Sequence, residues 1–213
     1  MKKKIVLASS SKRRLYILNN NGINPIVLPT YSDESIPNEA KNAEEVVQIL
    51  SMRKALACKK DISLRETLII AADTVVVSKE NNDVKKFGIF GKPKSLEEAR
   101  FMIKSIEGRS HEVITGCTLI ADCSMGEKTL NFFEKTIVYC KPISEEEIEE
   151  YIKTDEPYDK AGGYGIQGRF GRYVEKIEGD YDNVVGLPFN RIVMELEENG
   201  LSDFLKYNRN YGG

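Results

Sequence analysis

An α/β fold with a mixed sheet is the architecture this sequence predicts, and three observations predict it. Helical and extended hydrophobic periods alternate along the chain, there is no internal repeat, and the opening stretch already reads strand, helix, strand. The 213 residues, 41% hydrophobic and 30% charged, suffice for an ordinary core in one domain or two closely packed lobes.

The first strand is the apolar run "KIVLASS", followed by a helix through "KRRLYILNNN" that Gly22 closes and a second strand "INPIVLP". Tyr16, Ile17 and Leu18 read as core. A long helix follows in "NEAKNAEEVVQILSMRKALACKK", where Lys54 interrupts a stripe made by Val46, Leu50 and Ala57. "TLIIAADTVVVS" is the strongest strand signal, and the glycines and turn residues of "ENNDVKKFGIFGKP" predict an irregular hairpin or loop after it. Ser95 and Glu98 form a capping-box pattern at the head of a helix whose Leu96, Ala99, Met102, Ile103 and Ile106 share one face. "HEVITGCTLIAD" and "KTLNFFEKTIVYC" predict an antiparallel pair around "CSMGE". Ser144 and Glu147 repeat the capping box before "EEEIEEYI", whose acid run is a solvated face. "GRYVEKIEGDYDNVVGLP" reads as a hairpin, "FNRIVMELEENG" as a helix, and residues 206–213 as a frayed polar tail.

Composition narrows the function classes. A net charge of −2 gives no global field for nucleic acid or a membrane surface, so any anion site must be a local cluster of Lys and Arg. Cys58, Cys117, Cys123 and Cys140 are widely spaced, without a CxxC pair or a histidine at ligand spacing, which predicts reduced thiols in a cytoplasmic protein. The apolar run "IVLA" after "MKKK" is too short for a signal sequence or a membrane span. His111, the single histidine, has no Ser or Cys partner in view, which argues against a catalytic triad.

Three stretches carry chemistry. In "LASSSKRR" a strand runs into serines at the start of a helix, where free amides, hydroxyls and the helix dipole would hold a phosphate. Arg13 and Arg14 oppose that dipole, which favours a ligand over a plain cap. In "AADTVVVSKE" the period of two sends Asp73 and Thr74 to opposite faces. Asp73 is then either a buried acid bonded to the backbone or a carboxylate that binds a hard cation and activates water. In "DKAGGYGIQG" the glycines let main chain approach a ligand, and Gln167 offers a donor and an acceptor to a base edge. "GIFGKP" is not a phosphate loop of the Walker type, because its spacing is wrong and Pro93 stands where a metal-binding hydroxyl would be; Lys92 remains a point charge for phosphate.

Taken in order, "LASSSKRRL", "SDES", "RKA", "AADTVV", "GKP", "GRSHEVITG", "EPYDKAGGYGIQG" and "GDYDNVVGLP" resemble the Maf family of nucleoside triphosphate pyrophosphatases, from about residue 4 to the helix after Pro188. The resemblance implies a two-lobed α/β fold related to the inosine triphosphate pyrophosphatases, with a nucleotide in the cleft between lobes of a single domain spanning residues 1–213. It also implies a divalent cation, Mg²⁺ or Mn²⁺, a nucleoside triphosphate substrate, and a possible homodimer. Ser9, Ser11, Arg13, Arg14, Lys54 and Lys92 match phosphate-contacting positions. Asp73 matches the proton acceptor, Glu34 the acid that helps hold metal or water, and Lys54 belongs with them in catalysis. Arg13, Thr74 and Gln167 match the positions that select the base, in the combination of the dTTP and UTP branch rather than the sister branch that prefers 7-methyl-GTP. Lys12 departs from the family's usual proline, and the segment before Lys92 is longer than usual. Two other classes share these features: a nucleotide-binding regulator of division with little turnover, and an RNA-associated protein using the basic start of the chain.

Overall fold

A computed structural model describes residues 3–62, 65–80, 86–124 and 126–208. Seven strands form one mixed sheet: β1 (Lys4–Leu7), β2 (Ile26–Val27), β3 (Thr67–Val77), β4 (Ile89–Phe90), β5 (Ser110–Cys123), β6 (Gly126–Cys140) and β7 (Val174–Glu178). Their order is β2-β1-β3-β5-β6-β7, with β4 also beside β3. β2 and β3 flank β1 in parallel, while β3, β5, β6 and β7 run antiparallel. The helices are α1 (Lys12–Asn20), α2 (Ala43–Lys60), α3 (Leu96–Ile106), α4 (Glu145–Ile152), α5 (Tyr181–Val185), α6 (Phe189–Glu198) and α7 (Asp203–Asn208).

Alternation along β3 decides what lies where. Ile69, Ala71 and Val75 face α2, where Ala55 and Cys58 form one cluster with Ile69 and Ala71, and Val46, Val47 and Leu50 form another with Val75. Leu68, Ile70 and Ala72 face the other way, against Ile17 and Leu18 of α1, Ile192 and Leu196 of α6 and Phe204 of α7. Val76, on that same face, belongs to a separate cluster with Ile103 and Ile106 of α3 and Ile148 and Ile152 of α4. Each face of the sheet therefore carries two apolar clusters. Asp73 falls between them on one face and Thr74 between them on the other.

On the edge of β3 that faces away from β5, the strand partners among the described residues lie at the ends. β1 pairs with Thr67 through Ile70, and β4 pairs with Val76 and Val77. Among the described residues no strand joins this edge from Ala71 to Val75. That gap is where the chain leaves β1 through Ala8 to Ser11 and enters α1.

Several expectations change. The hairpin expected over 171–188 is one strand, β7, and then α5, because the Asp180 side chain accepts from the Asp182 and Asn183 amides and so starts a helix instead of a return strand. The second strand shrinks to Ile26–Val27. Tyr16 is exposed, whereas Ile17 and Leu18 are core. Lys206 lies in α7, which extends helix into the expected frayed tail; 209–213 fall outside the described residues. The capping box at Ser144 is complete, but at Ser95 only half forms, since the Glu98 carboxylate accepts from the Lys94 amide.

Candidate active site

A cleft of about 1250 Å³ opens at the uncovered stretch of β3. Ser9, Ser11, Arg13, Arg14, Glu34, Lys54, Asp73, Thr74, Lys92 and Gln167 all line it. They come from separate parts of the chain: the β1 to α1 turn, the loop before α2, α2 itself, β3, the strand exit after β4 and the glycine-rich turn.

On the α2 side, Lys54 ties two acids together. Its Nζ lies 2.5 Å from Asp73 Oδ1 and 2.9 Å from Glu34 Oε1. The Lys54 and Asp73 side chains are each 12% exposed and Glu34 is 58% exposed, so the pair sits at the wall and Glu34 reaches in from solvent. The hydrogen bond from Lys54 holds the Glu34 carboxyl below its ordinary pKa. A buried Asp73 beside an apolar strand is thus compensated by a charge-assisted bond. The interruption of the helix stripe by Lys54 has the same cause, because the side chain turns toward this acid. The two carboxylates form an all-oxygen donor pair of the kind that a hard divalent cation accepts when phosphate oxygens and waters complete its shell. Among the described residues no three His, Cys, Asp or Glu converge on one point. Two carboxylates alone would leave the other positions of such a cation to phosphate oxygens and waters.

On the opposite face, Arg14 organises the polar wall. Its Nε donates to the Gly186 carbonyl at 2.7 Å, Nη1 to Ser9 Oγ at 3.3 Å and Nη2 to Thr74 Oγ1 at 3.1 Å. Burial holds its pKa below the ordinary value, opposed by the nearby Asp73 charge. Ser11 caps α1, accepting from the Arg14 amide at 3.4 Å, and its own amide donates to Ser9 Oγ at 3.1 Å. Lys12 occupies the first position of α1, where proline is tolerated but not required.

Arg13 points across the cleft mouth, with Nη1 3.2 Å from Asp159 Oδ2. Asp159 also binds Lys160. Gln167 is exposed on the following turn. That turn is held by Glu156, which accepts from the Arg169 amide at 2.8 Å and packs so closely on Gly168 that a Cβ there would lie 2.1 Å from Oε1. Lys92 follows β4, and the neighbouring Gly91 carbonyl accepts from the Gly162 amide at 3.0 Å, joining the two loops.

The family model described as "Maf-like protein" matches residues 4–199. The chain belongs to the Maf family. A protein of a Geobacillus species named dTTP/UTP pyrophosphatase is 44% identical over 198 residues, 93% of this chain and 99% of its own. One of the same name from Thermosipho africanus is 42% identical over 203 residues, 95% of this chain and 97% of its own. A third, from Carboxydothermus hydrogenoformans, is 44% identical over 204 residues, 92% and 99% of the two chains.

In this Maf-family chain His111 and the four cysteines do not line the cleft. His111 Nε2 meets the Tyr164 hydroxyl at 2.6 Å inside the α3 and α4 cluster, and burial lowers its pKa to about 4. The four cysteines are free, and burial pushes the Cys117 thiol up to about 12. No described helix is long and apolar enough to cross a membrane. Asp159, Glu156, Thr115 and Gly186 were not singled out from the sequence. "EPYDK" was the available signal for the first two, but an ion pair between residues 13 and 159 has no local signature.

Proposed function

We propose that this Maf-family chain is a nucleoside triphosphate pyrophosphatase that cleaves the bond between the α and β phosphates of dTTP and UTP, releasing the monophosphate and pyrophosphate. The observation that carries the reading is Asp73 and Glu34 converging on Lys54 in a cleft whose far wall is Ser9, Arg13 and Arg14. The names of its relatives support the same substrates.

In this reading the triphosphate lies along the β1 to α1 turn, with Ser9, Ser11, Arg13 and Lys92 as donors and Arg14 keeping Ser9 and Thr74 in place. Asp73 takes the proton of the attacking water. Lys54 holds that carboxylate in place, and Glu34 orients the water from the solvent side. Asp73 and Glu34 would hold the divalent cation, Mg²⁺ or Mn²⁺, which would supply charge neutralisation at the phosphates. Arg13, Thr74 and Gln167 face the base. The proposed setting is a cytoplasmic homodimer of one two-lobed domain, acting on free nucleotides without a nucleic-acid partner.

Pyrophosphate release from dTTP, UTP, CTP, GTP and 7-methyl-GTP with Mg²⁺ tests the proposal. We expect dTTP and UTP to lead. Tight binding without release would indicate a nucleotide-responsive regulator, and a lead for 7-methyl-GTP would place the chain in the sister branch.

A further inference from the structure

Behind Thr74 runs a chain of hydrogen bonds whose direction can be worked out atom by atom. Thr115 Oγ1 lies 3.1 Å from the carbonyl oxygen of Asn183, and only the hydroxyl can donate in that bond. The carbonyl needs this donor. α5 ends at Val185, the Gly186 and Leu187 amides both donate to Asp182, and Pro188 has no N–H. Thr115 and Asn183 are completely buried, so water does not compete.

A hydroxyl has one hydrogen and two lone pairs. With the Thr115 hydrogen committed to Asn183, the 2.9 Å contact between Thr74 Oγ1 and Thr115 Oγ1 requires Thr74 to donate. Thr74 Oγ1 also accepts from Arg14 Nη2 at 3.1 Å. Its hydrogen and one lone pair are therefore used, and one lone pair remains beside the cleft. Asn183 is itself fixed through Nδ2, which donates to the Val113 carbonyl at 3.1 Å and to Thr136 Oγ1 at 2.9 Å. Thr74 sits opposite Thr115 in the β3 and β5 register, so strand pairing locks the contact.

We infer that Thr115 is a positioning residue for base choice: it makes the Thr74 hydroxyl an acceptor only, matched to the imide N3–H of uracil or thymine and opposed to the bare N3 of cytosine. The inference rests on the reading of the cleft as a dTTP and UTP site. Uracil and thymine present a donor at N3, whereas cytosine presents a lone pair there. Two lone pairs facing each other leave both groups without a partner, which disfavours cytosine.

Replacing Thr115 by Val keeps the shape and removes the hydroxyl, so the Thr74 hydrogen is released and can reach a cytosine N3. The experiment compares kcat/KM for UTP and CTP in the wild type, Thr115→Val and Thr115→Ser. We expect Thr115→Val to shift the ratio toward CTP by roughly tenfold or more, through a gain on CTP, and Thr115→Ser to restore the wild-type ratio. A purely structural defect would lower both substrates together, and an unchanged ratio would overturn the inference. A second arm needs no variant: the wild type should turn over 3-methyl-UTP, which lacks the N3 hydrogen, at least roughly tenfold less efficiently than UTP. Equal use of the two would overturn the inference while leaving the pyrophosphatase reading intact. A wild type inactive on both dTTP and UTP would instead overturn that reading.

Discussion

At the scale of the residue, Asp73 decides most. It was legible as an acid misplaced in an apolar strand, and the period of two separated it correctly from Thr74. Periodicity alone shows Lys54 as a blemish in a helix stripe; the family resemblance grouped it with Asp73, and folding brings its Nζ to 2.5 Å from Asp73 Oδ1. Asp73→Asn keeps size and removes the base, so kcat should fall by ~10² to 10⁴ with nucleotide affinity retained within about tenfold. Single-turnover rates and a binding isotherm separate the two quantities; wild-type turnover would remove Asp73 from the chemistry. Gln167→Ala should narrow the preference for dTTP and UTP over other triphosphates by removing a group that pairs with the base. Equal relative kcat/KM values before and after the change would take Gln167 out of the specificity set. Asp159 and Thr115 stayed hidden because neither residue type nor spacing announces a partner on another element.

At the scale of the element, strong periodicity and caps carried the reading. α3 and α4 begin where their serine caps predict, and β5 pairs with β6 as expected. The element after β7 was misread because a helix of one turn, set by the Asp180 cap, leaves almost no periodic signal. The packing of α2 on the sheet also escaped the sequence. Gly116 pairs with Asp73 in the register, and a Cβ there would lie 2.3 Å from the Val47 carbonyl oxygen. Helix main chain cannot yield as a flexible side chain would, so α2 must move. Gly116→Ala should cost ~1 to 3 kcal/mol in chemical denaturation and also lower kcat, since α2 carries Lys54. A variant as stable and as active as the wild type would show that α2 is not seated this tightly.

At the scale of the whole molecule, stability should depend on acid through a buried group outside the cleft lining. Burial lowers His111 to about 4 from its ordinary 6.5, so between these values the unfolded chain binds a proton that the folded chain excludes. The contribution is complete above the unfolded value and is lost as pH falls toward the folded one, on the order of 3 kcal/mol in total. His111→Gln can still meet the Tyr164 hydroxyl and does not titrate. Its unfolding free energy should therefore fall less steeply than that of the wild type between pH 6.5 and 4.5; parallel curves would contradict the assignment. The α/β class was readable because alternation of period is a property of the whole chain. The break in the apolar clusters at Asp73 and Thr74 became visible once the strands were ordered. The uncovered edge of β3 has one more consequence. Open strand edges invite another chain to add a strand and seed aggregation. Here the stretch without a strand partner among the described residues, Ala71 to Val75, lies between the segments that pair with β1 and β4, so the berth is too short for a stable added strand.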